Sequence, residues 1–239
     1  VKPFTPIDSG QRLPNPIESV ITLGDLDGDT DLDYYESRDG VDYIWLNDGK
    51  GHFTDSGKRI DDGAGSATAI ALADLDGDHD LDLLVAKNAH NLVLFNDGQA
   101  NFVNSGQMIK MATGFTDAIA IGDLDGDGDR DAYFGNRDFS NNPDEVWLNN
   151  GTGVFTDTLQ RLGNETAANV ILGDVDNDQD LDAIVTTCGQ TNEPDKVWLN
   201  DGHATFTDSG QTFDSACTVG FAAHDLDGRA ADLAHHLVG

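Results

Sequence analysis

Basic residues are scarce in this chain. Its 239 residues include 13 lysines and arginines against 44 aspartates and glutamates, which gives a net charge of −31. Proteins bind nucleic acids and anionic membranes largely through Lys and Arg, so this composition argues against both as partners. The excess of negative charge also needs an explanation, because crowded carboxylates repel one another.

Three further absences narrow the possible folds. No apolar run approaches the roughly 18 residues of a membrane-spanning helix, so we expect no membrane insertion. The two cysteines, Cys188 and Cys217, are too few for a disulfide-based scaffold. Apolar residues do not recur at the spacing of an amphipathic helix, which excludes a helical repeat protein. The chain instead consists of short apolar stretches separated by acidic, glycine-containing loops.

The acidic residues are concentrated in a repeated nine-residue motif. Its first copy, Asp25-Leu-Asp-Gly-Asp-Thr-Asp-Leu-Asp33, has carboxylates at positions 1, 3, 5, 7 and 9. Further copies begin at Asp74, Asp123 and Asp174, at a period of roughly 50 residues that is typical of repeat architectures. A hard cation would neutralise such a cluster, and Ca²⁺ accepts about six to eight oxygen ligands in flexible geometry. The motif therefore predicts one Ca²⁺ ion in each copy, about four ions in all.

The predicted metal ligands are the five aspartates of each copy. They are Asp25, Asp27, Asp29, Asp31 and Asp33; Asp74, Asp76, Asp78, Asp80 and Asp82; Asp123, Asp125, Asp127, Asp129 and Asp131; and Asp174, Asp176, Asp178, Asp180 and Asp182. We expect Asp31, at position 7, to contribute its backbone carbonyl. A degenerate fifth copy begins at Asp225 and has Arg229 at position 5, so we expect weak metal binding there or none.

An EF-hand is the main alternative interpretation of the acidic motif. An EF-hand loop needs Gly at position 6, a bidentate Glu at position 12 and flanking helices. Position 12 is Glu36 in the first copy but Val85, Phe134 and Val185 in the others. The flanking segments also have the β-branched and aromatic composition of strands. The motif is therefore a loop between strands.

Each repeat contains four short strand-like segments. In the first repeat they are residues 19–24, 33–37 and 42–47 and a segment that begins at Phe53, and Asn47-Asp-Gly49 forms a hairpin turn. Four-stranded units of this length that are arranged radially form a β-propeller. We therefore predict an all-β fold with antiparallel four-stranded blades, in a single domain that spans residues 1–239.

The two ends of the chain predict how the propeller closes. Residues 4–11 resemble the fourth strand at residues 206–211, whereas residues 219–239 contain a first and a second strand without the turn that follows elsewhere. The ends would share a fifth blade, with the N-terminal strand as its outer edge. A three-stranded last blade and a fragment of a larger ring remain open as alternatives.

The motifs resemble the FG-GAP/VCBS repeats, which also form the heads of integrin α-subunits. The resemblance rests on Gly-Asp-Leu-Asp-Gly-Asp-x-Asp-x-Asp, Val-Trp-Leu-Asn-Asp-Gly and Phe-Thr-Asp-Ser-Gly-Gln, and it covers residues 4 to about 233. It implies Ca²⁺ in the loop between the first and second strands of each blade, on one face of the propeller. The family includes adhesion heads, lectins and propellers attached to polysaccharide lyases, so the resemblance defines the fold and the metal better than the activity.

The opposite face varies between repeats and is the predicted ligand-binding surface. Its polar candidates are Arg38, Asn136, Arg137, Asp138 and Gln190. We expect an extracellular or cell-surface recognition or adhesion module that binds carbohydrate in a lectin-like manner, or binds a cell-surface protein. A polysaccharide lyase or hydrolase and a purely structural module of a larger surface protein are the alternatives. No nucleophile-elbow or zinc-protease motif is present, which favours a protein that is not an enzyme.

The same propeller geometry places the two cysteines close together. Cys188 follows the second strand of the fourth repeat, and Cys217 lies at the start of the first strand of the fifth. Both points would lie on the same face of adjacent blades. We therefore predict a Cys188–Cys217 disulfide, with two free thiols as the alternative.

Overall fold

The fold is known from a computed structural model of the chain. It describes residues 8–13, 19–38, 40–61, 65–87, 90–109, 115–137, 142–188, 193–213, 220–224 and 232–236. Within these ranges the secondary structure consists of strands and turns. None of the described residues forms a helix that is long and apolar enough to cross a membrane.

Eighteen strands follow one another within the described residues. They are β1 Val20–Gly24, β2 Asp33–Arg38, β3 Val41–Asn47, β4 Phe53–Ile60, β5 Ala67–Ala73, β6 Asp82–Lys87, β7 Asn91–Asn96, β8 Phe102–Ile109, β9 Phe115–Gly122, β10 Asp131–Arg137, β11 Asp144–Asn149, β12 Phe155–Leu162, β13 Ala167–Gly173, β14 Asp182–Thr187, β15 Lys196–Asn200, β16 Phe206–Thr212, β17 Gly220–His224 and β18 Asp232–His236.

The strands form four antiparallel sheets of four strands each and one two-stranded sheet. We name the four-stranded sheets sheet 1 (β1–β4), sheet 2 (β5–β8), sheet 3 (β9–β12) and sheet 4 (β13–β16), and in each of them neighbours in sequence are neighbours in space. Strands β17 and β18 pair only with each other among the described residues. Consecutive pairing of this kind follows from tight turns, which join antiparallel neighbours with little loop entropy.

The sheets are arranged side by side around their first strands. Strand β1 contacts β5, β5 contacts β9, β9 contacts β13, and β13 contacts β17. Small residues such as Ala69, Ala71, Ala118 and Ala120 recur in these strands and allow the close approach. The sheets therefore radiate from the first strands like the blades of a propeller.

The hydrophobic core lies between adjacent sheets. One cluster joins Tyr35 and Ile44 of sheet 1 to Leu83 and Leu94 of sheet 2, and equivalent clusters join sheets 2 and 3 and sheets 3 and 4. Second strands such as β6 and β14 are buried along their whole length because both of their faces are covered by protein. This explains why they read as continuous apolar runs and not as an alternating pattern.

The blade count differs from the expected five. The described residues form four four-stranded blades, and the fifth repeat contributes only β17 and β18. No third strand is paired with them among the described residues. Residues 4–7 lie outside the described residues, so the closure of a fifth blade by the N-terminal segment stays a prediction.

Candidate metal centres

The four acidic motifs form loops at one end of the sheets. Loop 1 (25–33), loop 2 (74–82), loop 3 (123–131) and loop 4 (174–182) each connect the first strand of a sheet to the second. Gly24 pairs with Asp33 across the base of loop 1, and the corresponding residues pair in the other sheets. The loops share this end of the molecule with the Asn-x-Gly turns between third and fourth strands.

The aspartate at position 1 organises each loop through backbone amides. In loop 1, Asp25 Oδ1 accepts a hydrogen bond from Gly28 N (2.8 Å) and Asp25 Oδ2 accepts one from Thr30 N (2.8 Å). Asp74, Asp123 and Asp174 accept equivalent bonds in the other loops. Positive φ angles at positions 4 and 6, such as 78° at Gly28 and 77° at Thr30, fold the chain tightly around this carboxylate.

The aspartate at position 9 is buried and joins the loop to the neighbouring turn. In sheet 1, Asp33 Oδ2 accepts from Leu26 N (3.0 Å) and Asp33 Oδ1 accepts from Asn47 N (2.8 Å). The same pair of bonds recurs at Asp82, Asp131 and Asp182. Burial raises the pKa of Asp82 and of Asp131 to about 6, although the two amide donors lower it.

Three carboxylates converge in each loop. Oxygens from positions 1, 3 and 5 lie within 4.8 Å of one another in loops 1, 2 and 3, and those of Asp174, Asp176 and Asp182 do so in loop 4. Position 9 belongs to the converging group in loop 4, where Asp182 takes the place of position 5. Position 7 packs elsewhere: an added Cβ at Gly49 would lie 2.5 Å from Asp31 Oδ2.

These residues fit a hard cation. Burial, followed by the charges of Asp33 and Asp29, raises the pKa of Asp27 above its ordinary value. Asp27 Oδ1 is also buried and receives no hydrogen bond from the described residues. An ion beside Asp25, Asp27 and Asp29 would give this oxygen a partner and neutralise the repulsion. All-oxygen ligation of this type suits Ca²⁺ better than a transition metal.

Three of the predicted ligand-binding residues are described, namely Arg38, Asn136 and Arg137. They lie at the other end of the sheets and differ in exposure. Arg137, at the end of β10, has 44% of its side chain exposed and donates from Nε to Asp117 Oδ2 (2.5 Å). Arg38 has only 15% of its side chain exposed and lies over the Tyr43 ring (4.0 Å from the guanidinium carbon to the centroid). Among the described residues, no contact joins Arg38 to Arg137, so the two side chains do not form one cluster.

Asn136 has a structural role in this conformation. It is fully buried, its Oδ1 accepts a hydrogen bond from Thr116 Oγ1 (3.1 Å), and its Nδ2 donates to the Pro143 carbonyl (2.8 Å). Its side chain is therefore engaged within the protein and offers no free group to a ligand. Asp138 and Gln190 lie outside the described residues, and their proposed roles stay predictions.

The fifth acidic copy and one cysteine also fall outside the described residues. Residues 225–231 include the degenerate loop, so its metal binding stays a prediction. Cys188 is disulfide-bonded. Its predicted partner, Cys217, lies outside the described residues, and the pairing stays a prediction.

One set of residues near the metal loops is not predicted by the sequence pattern. The asparagine of each Asn-x-Gly turn was interpreted only as a turn former, yet Asn96 Nδ2 donates to the Leu26 carbonyl of loop 1 (2.9 Å) in the preceding sheet. Asn149 and Asn200 make the equivalent bonds to Leu75 and Leu124 (both 2.8 Å). The recurrence of an asparagine in the turn after the third strand of every repeat was the available signal.

Comparison with protein families finds the FG-GAP-like repeat three times in this chain. The matches cover residues 25–85, 77–134 and 123–185, and each contains two successive acidic loops or parts of them. No curated protein sequence matches the chain significantly.

Several solved structures share the architecture. An Agrocybe aegerita lectin, described as recognising non-reducing terminal N-acetylglucosamine, superposes with a TM-score of 0.55 at 23% identity, over 84% of this chain and 52% of the lectin chain. The pore of the Photorhabdus luminescens Tc holotoxin gives a TM-score of 0.45 at 20% identity, over 92% of this chain and 11% of the toxin chain. The V. cholerae biofilm matrix protein Bap1 gives 0.37 at 18% identity, over 77% of this chain and 38% of that chain. The chain thus spans about half the length of the lectin and less of the other two, and these likenesses concern the fold alone.

Proposed function

The chain belongs to the FG-GAP-like repeat family, and from this premise we propose that it is a calcium-stabilised propeller that recognises carbohydrate outside the cell. The observation that carries the proposal is the difference between the two ends of the sheets. One end repeats the same acidic loop four times, whereas the other carries polar residues that differ from sheet to sheet. A constant scaffold with a variable surface is the arrangement expected of a recognition module.

Calcium would act on stability. The carboxylates of positions 1, 3 and 5 would hold the ion in loops 1 to 3, and Asp174, Asp176 and Asp182 would hold it in loop 4. Bound Ca²⁺ supplies positive charge that offsets carboxylate repulsion. Since the unfolded chain lacks these clusters, binding to the folded form alone stabilises it by mass action. Extracellular calcium, which is abundant, is the natural source for loops of modest affinity.

Thermal unfolding with and without a chelator tests the calcium part of the proposal. We expect EDTA to lower the melting temperature substantially and excess Ca²⁺ to restore it, because each ion at about 100 times its dissociation constant contributes roughly 2.7 kcal/mol. Mg²⁺ should raise the melting temperature much less than Ca²⁺ does, since it demands a smaller and more regular ligand shell. Equal melting temperatures in EDTA and Ca²⁺ would contradict the proposal.

Carbohydrate is the ligand class that the variable end supports best. Arg137 has 44% of its side chain exposed and is held by Asp117, so its guanidinium presents hydrogen-bond donors that sugar hydroxyls can accept. The net charge of −31 disfavours acidic ligands and favours neutral ones. The lectin that shares this fold makes glycans ending in N-acetylglucosamine the first to test.

The binding test uses the whole chain with saturating Ca²⁺ and a panel of immobilised neutral glycans. We expect binding to at least one glycan and a loss of about tenfold or more in Arg137→Ala, since a charge-assisted hydrogen bond contributes about 1.5–3 kcal/mol. Arg130→Ala is the matched control, because Arg130 is also exposed but lies in loop 3 at the other end. No binding by the folded wild type would contradict the proposal, and shortening of the polymers would instead identify a lyase or hydrolase.

A further inference from the structure

Each of the first three metal loops is contacted by the sheet that follows it. The contact is made at position 2, between the aspartates at positions 1 and 3. The Leu26 side chain of loop 1 is fully buried, and its carbonyl accepts hydrogen bonds from Asn96 Nδ2 (2.9 Å) and Ala100 N (2.7 Å), both in the next sheet. Because Leu26 lies between Asp25 and Asp27, these bonds restrict the backbone that carries both carboxylates.

The same contact recurs twice more along the chain. Asn149 Nδ2 donates to the Leu75 carbonyl of loop 2, and Asn200 Nδ2 and Ala204 N donate to the Leu124 carbonyl of loop 3, all at 2.8 Å. The side chains of Leu75 and Leu124 are likewise buried, each 1% exposed. Three loops are therefore held by three successive turns.

Position 4 of these loops also meets the following turn. A Cβ added at Gly28 would lie 3.3 Å from the Gly98 carbonyl oxygen, and one at Gly77 would lie 3.3 Å from that of Gly151. At Gly126 the distance to the Gly202 carbonyl oxygen would be 3.6 Å. The loop backbone and the turn of the next sheet are thus in contact at two points on either side of the position-3 ligand.

Loop 4 differs at both points. Its position-2 residue, Val175, is only partly buried, and its carbonyl receives no hydrogen bond from the described residues. Position 4 is Asn177 with a φ of 72°, where the other loops have glycine. Its converging carboxylates are also a different set, with Asp182 in place of the position-5 residue Asp178.

From these contacts we propose that Asn96, Asn149 and Asn200 are positioning residues for the metal loop of the preceding sheet. The four calcium sites then fall into two classes, with loops 1 to 3 pre-organised by the following turn and loop 4 binding more weakly. The inference rests on the proposed calcium binding. It adds that calcium binding in each of the first three loops depends on the contact between that loop and the following sheet.

A calcium titration followed by NMR resolves the four loops separately. The backbone amides of Gly28, Gly77, Gly126 and Asn177 each donate to the position-1 carboxylate of their own loop, so each reports local ion binding. In the wild-type chain we expect the Asn177 signal to titrate at a calcium concentration at least about threefold higher than the other three, as the loss of one or two hydrogen bonds would produce. Equal or tighter binding at loop 4 would overturn the proposal.

Asn149→Ala tests the positioning role directly. Its Nδ2 donates to Leu75, so we expect the Gly77 signal to titrate at about two- to tenfold higher calcium while Gly126 and Asn177 are unchanged. Asn47→Ala is the matched control, because Asn47 occupies the same turn position and caps its own turn through Oδ1, but its Nδ2 donates to Leu32 of its own sheet. The control should leave the Gly77 signal at its wild-type calcium concentration.

The possible results separate this inference from the proposed function. Absence of calcium binding at every loop would overturn both, whereas wild-type affinity at loop 2 in Asn149→Ala would overturn only the inference. A uniform weakening of all four loops would show general destabilisation and would also overturn it. If Asn149→Ala does not fold, Asn200→Ala provides the same comparison for loop 3 through Gly126.

Discussion

The glycine of each Asn-x-Gly turn lies against the position-7 carboxylate of the metal loop in its own sheet. A Cβ at Gly98 would be 2.5 Å from Asp80 Oδ2, and equivalent distances of 2.5–2.6 Å occur at Gly49, Gly151 and Gly202. These glycines also have φ angles near +70°, which other residues adopt only at a cost. Position 7 thus acts as a packing partner of the turn, whatever its carbonyl contributes to a metal.

Gly98→Ala should therefore destabilise the protein by more than backbone strain alone. Strain at positive φ costs about 1–2 kcal/mol, and the contact with Asp80 should add about 1–3 kcal/mol of overpacking. Gly106→Ala is the control, since Gly106 has a φ of 81° but nothing within 4 Å of the added Cβ. Denaturant unfolding of both variants in Ca²⁺ gives the comparison. Equal losses would show that the turn moves away from the carboxylate without cost.

A second residue-scale prediction concerns Asp144, which is buried outside the metal loops. It accepts hydrogen bonds from Asn136 N (2.8 Å) and the Tyr133 hydroxyl (3.1 Å), yet burial raises its pKa to about 8. In the unfolded chain its pKa is about 3.9. Between these two values the unfolded chain releases a proton that the folded chain retains, so rising pH favours unfolding. Stability should fall by up to about 1.4 kcal/mol per pH unit across this window.

Asp144→Asn should remove this contribution. The amide oxygen still accepts from Asn136 N, and no proton is released on unfolding. Urea unfolding at several pH values from 5 to 7.5, in saturating Ca²⁺, should show a flatter dependence than in the wild type. Asp157→Asn is the control, because the Arg161 ion pair holds the pKa of Asp157 below its ordinary value. Asp157 therefore changes the stability only at pH values lower than this window. An unchanged slope in Asp144→Asn would contradict the assignment.

At the scale of elements, a glutamine on each of the outer strands β8 and β12 joins adjacent sheets. Gln107 of β8 donates from Nε2 to the Phe155 carbonyl (2.6 Å) and accepts from Phe155 N (3.0 Å) at the start of β12. Gln160 of β12 accepts from Phe206 N (2.8 Å) of β16 in the same way. Each glutamine side chain thus bonds the backbone at the start of the outer strand in the next sheet. That strand has no partner strand on its outer side among the described residues.

Gln107→Leu should weaken the contact between sheets 2 and 3. Two hydrogen bonds are lost, so we expect a destabilisation of about 1–2 kcal/mol in chemical unfolding. Gln211→Leu is the matched control, because Gln211 has the same position on β16 but its side chain is exposed and has no hydrogen-bond partner among the described residues. It should change the stability little. Similar losses in both variants would mean that the inter-sheet bonds contribute nothing measurable.

At the scale of the whole molecule, residues 8–13 make side-chain contacts like those of an outer strand. Gln11 exchanges hydrogen bonds with Phe53 of β4 (2.6 and 2.9 Å), as Gln107 does with Phe155. Arg12 pairs with Asp8 (2.7 Å) just as Arg59 pairs with Asp55 (2.7 Å). Residues 8–13 therefore repeat the side-chain contacts of a fourth strand beside sheet 1.

The inner part of sheet 1 supports the same interpretation. Leu23 and Leu32 are 52% and 57% exposed, whereas their counterparts Leu72 and Leu81 reach the preceding sheet, where a Cβ at Gly24 would lie 2.7 and 2.9 Å from them. We propose that a fifth blade, built on β17 and β18, covers this surface and closes the propeller.

Leu23→Asp tests this closure. If a fifth blade covers Leu23, the buried charge should cost several kcal/mol of stability, because an isolated carboxylate is poorly tolerated in an apolar contact. Val103→Asp is the control on β8, where the side chain is 66% exposed. Exposed substitutions usually change stability by less than about 0.5 kcal/mol. A loss at Leu23 no larger than that at Val103 in thermal or urea unfolding would contradict closure.

The repeats, the all-β class and the acidic loops were accessible from the sequence because they depend on local rules. An Asp at position 1 accepts hydrogen bonds from amides three to five residues later, and the glycine of a turn tolerates positive φ without help from the rest of the chain. Such signals lie within about ten residues, and repetition at a constant period makes them unambiguous. The boundaries of the first strands and turns in sheet 1 were predicted to within about one residue for this reason.

The tertiary structure alone decided which side chains meet across the sheets. The bond from Asn96 to Leu26 joins residues 70 positions apart, and Asn136 is buried by neighbours that no local pattern identifies. Packing also determines that carboxylates at positions 1, 3 and 5 converge in three loops while position 9 turns inward to hold backbone amides. Short-range hydrogen bonds and turn geometry thus define each blade from its own residues, whereas the bracing of the metal loops depends on the next blade, because only folding brings those surfaces together.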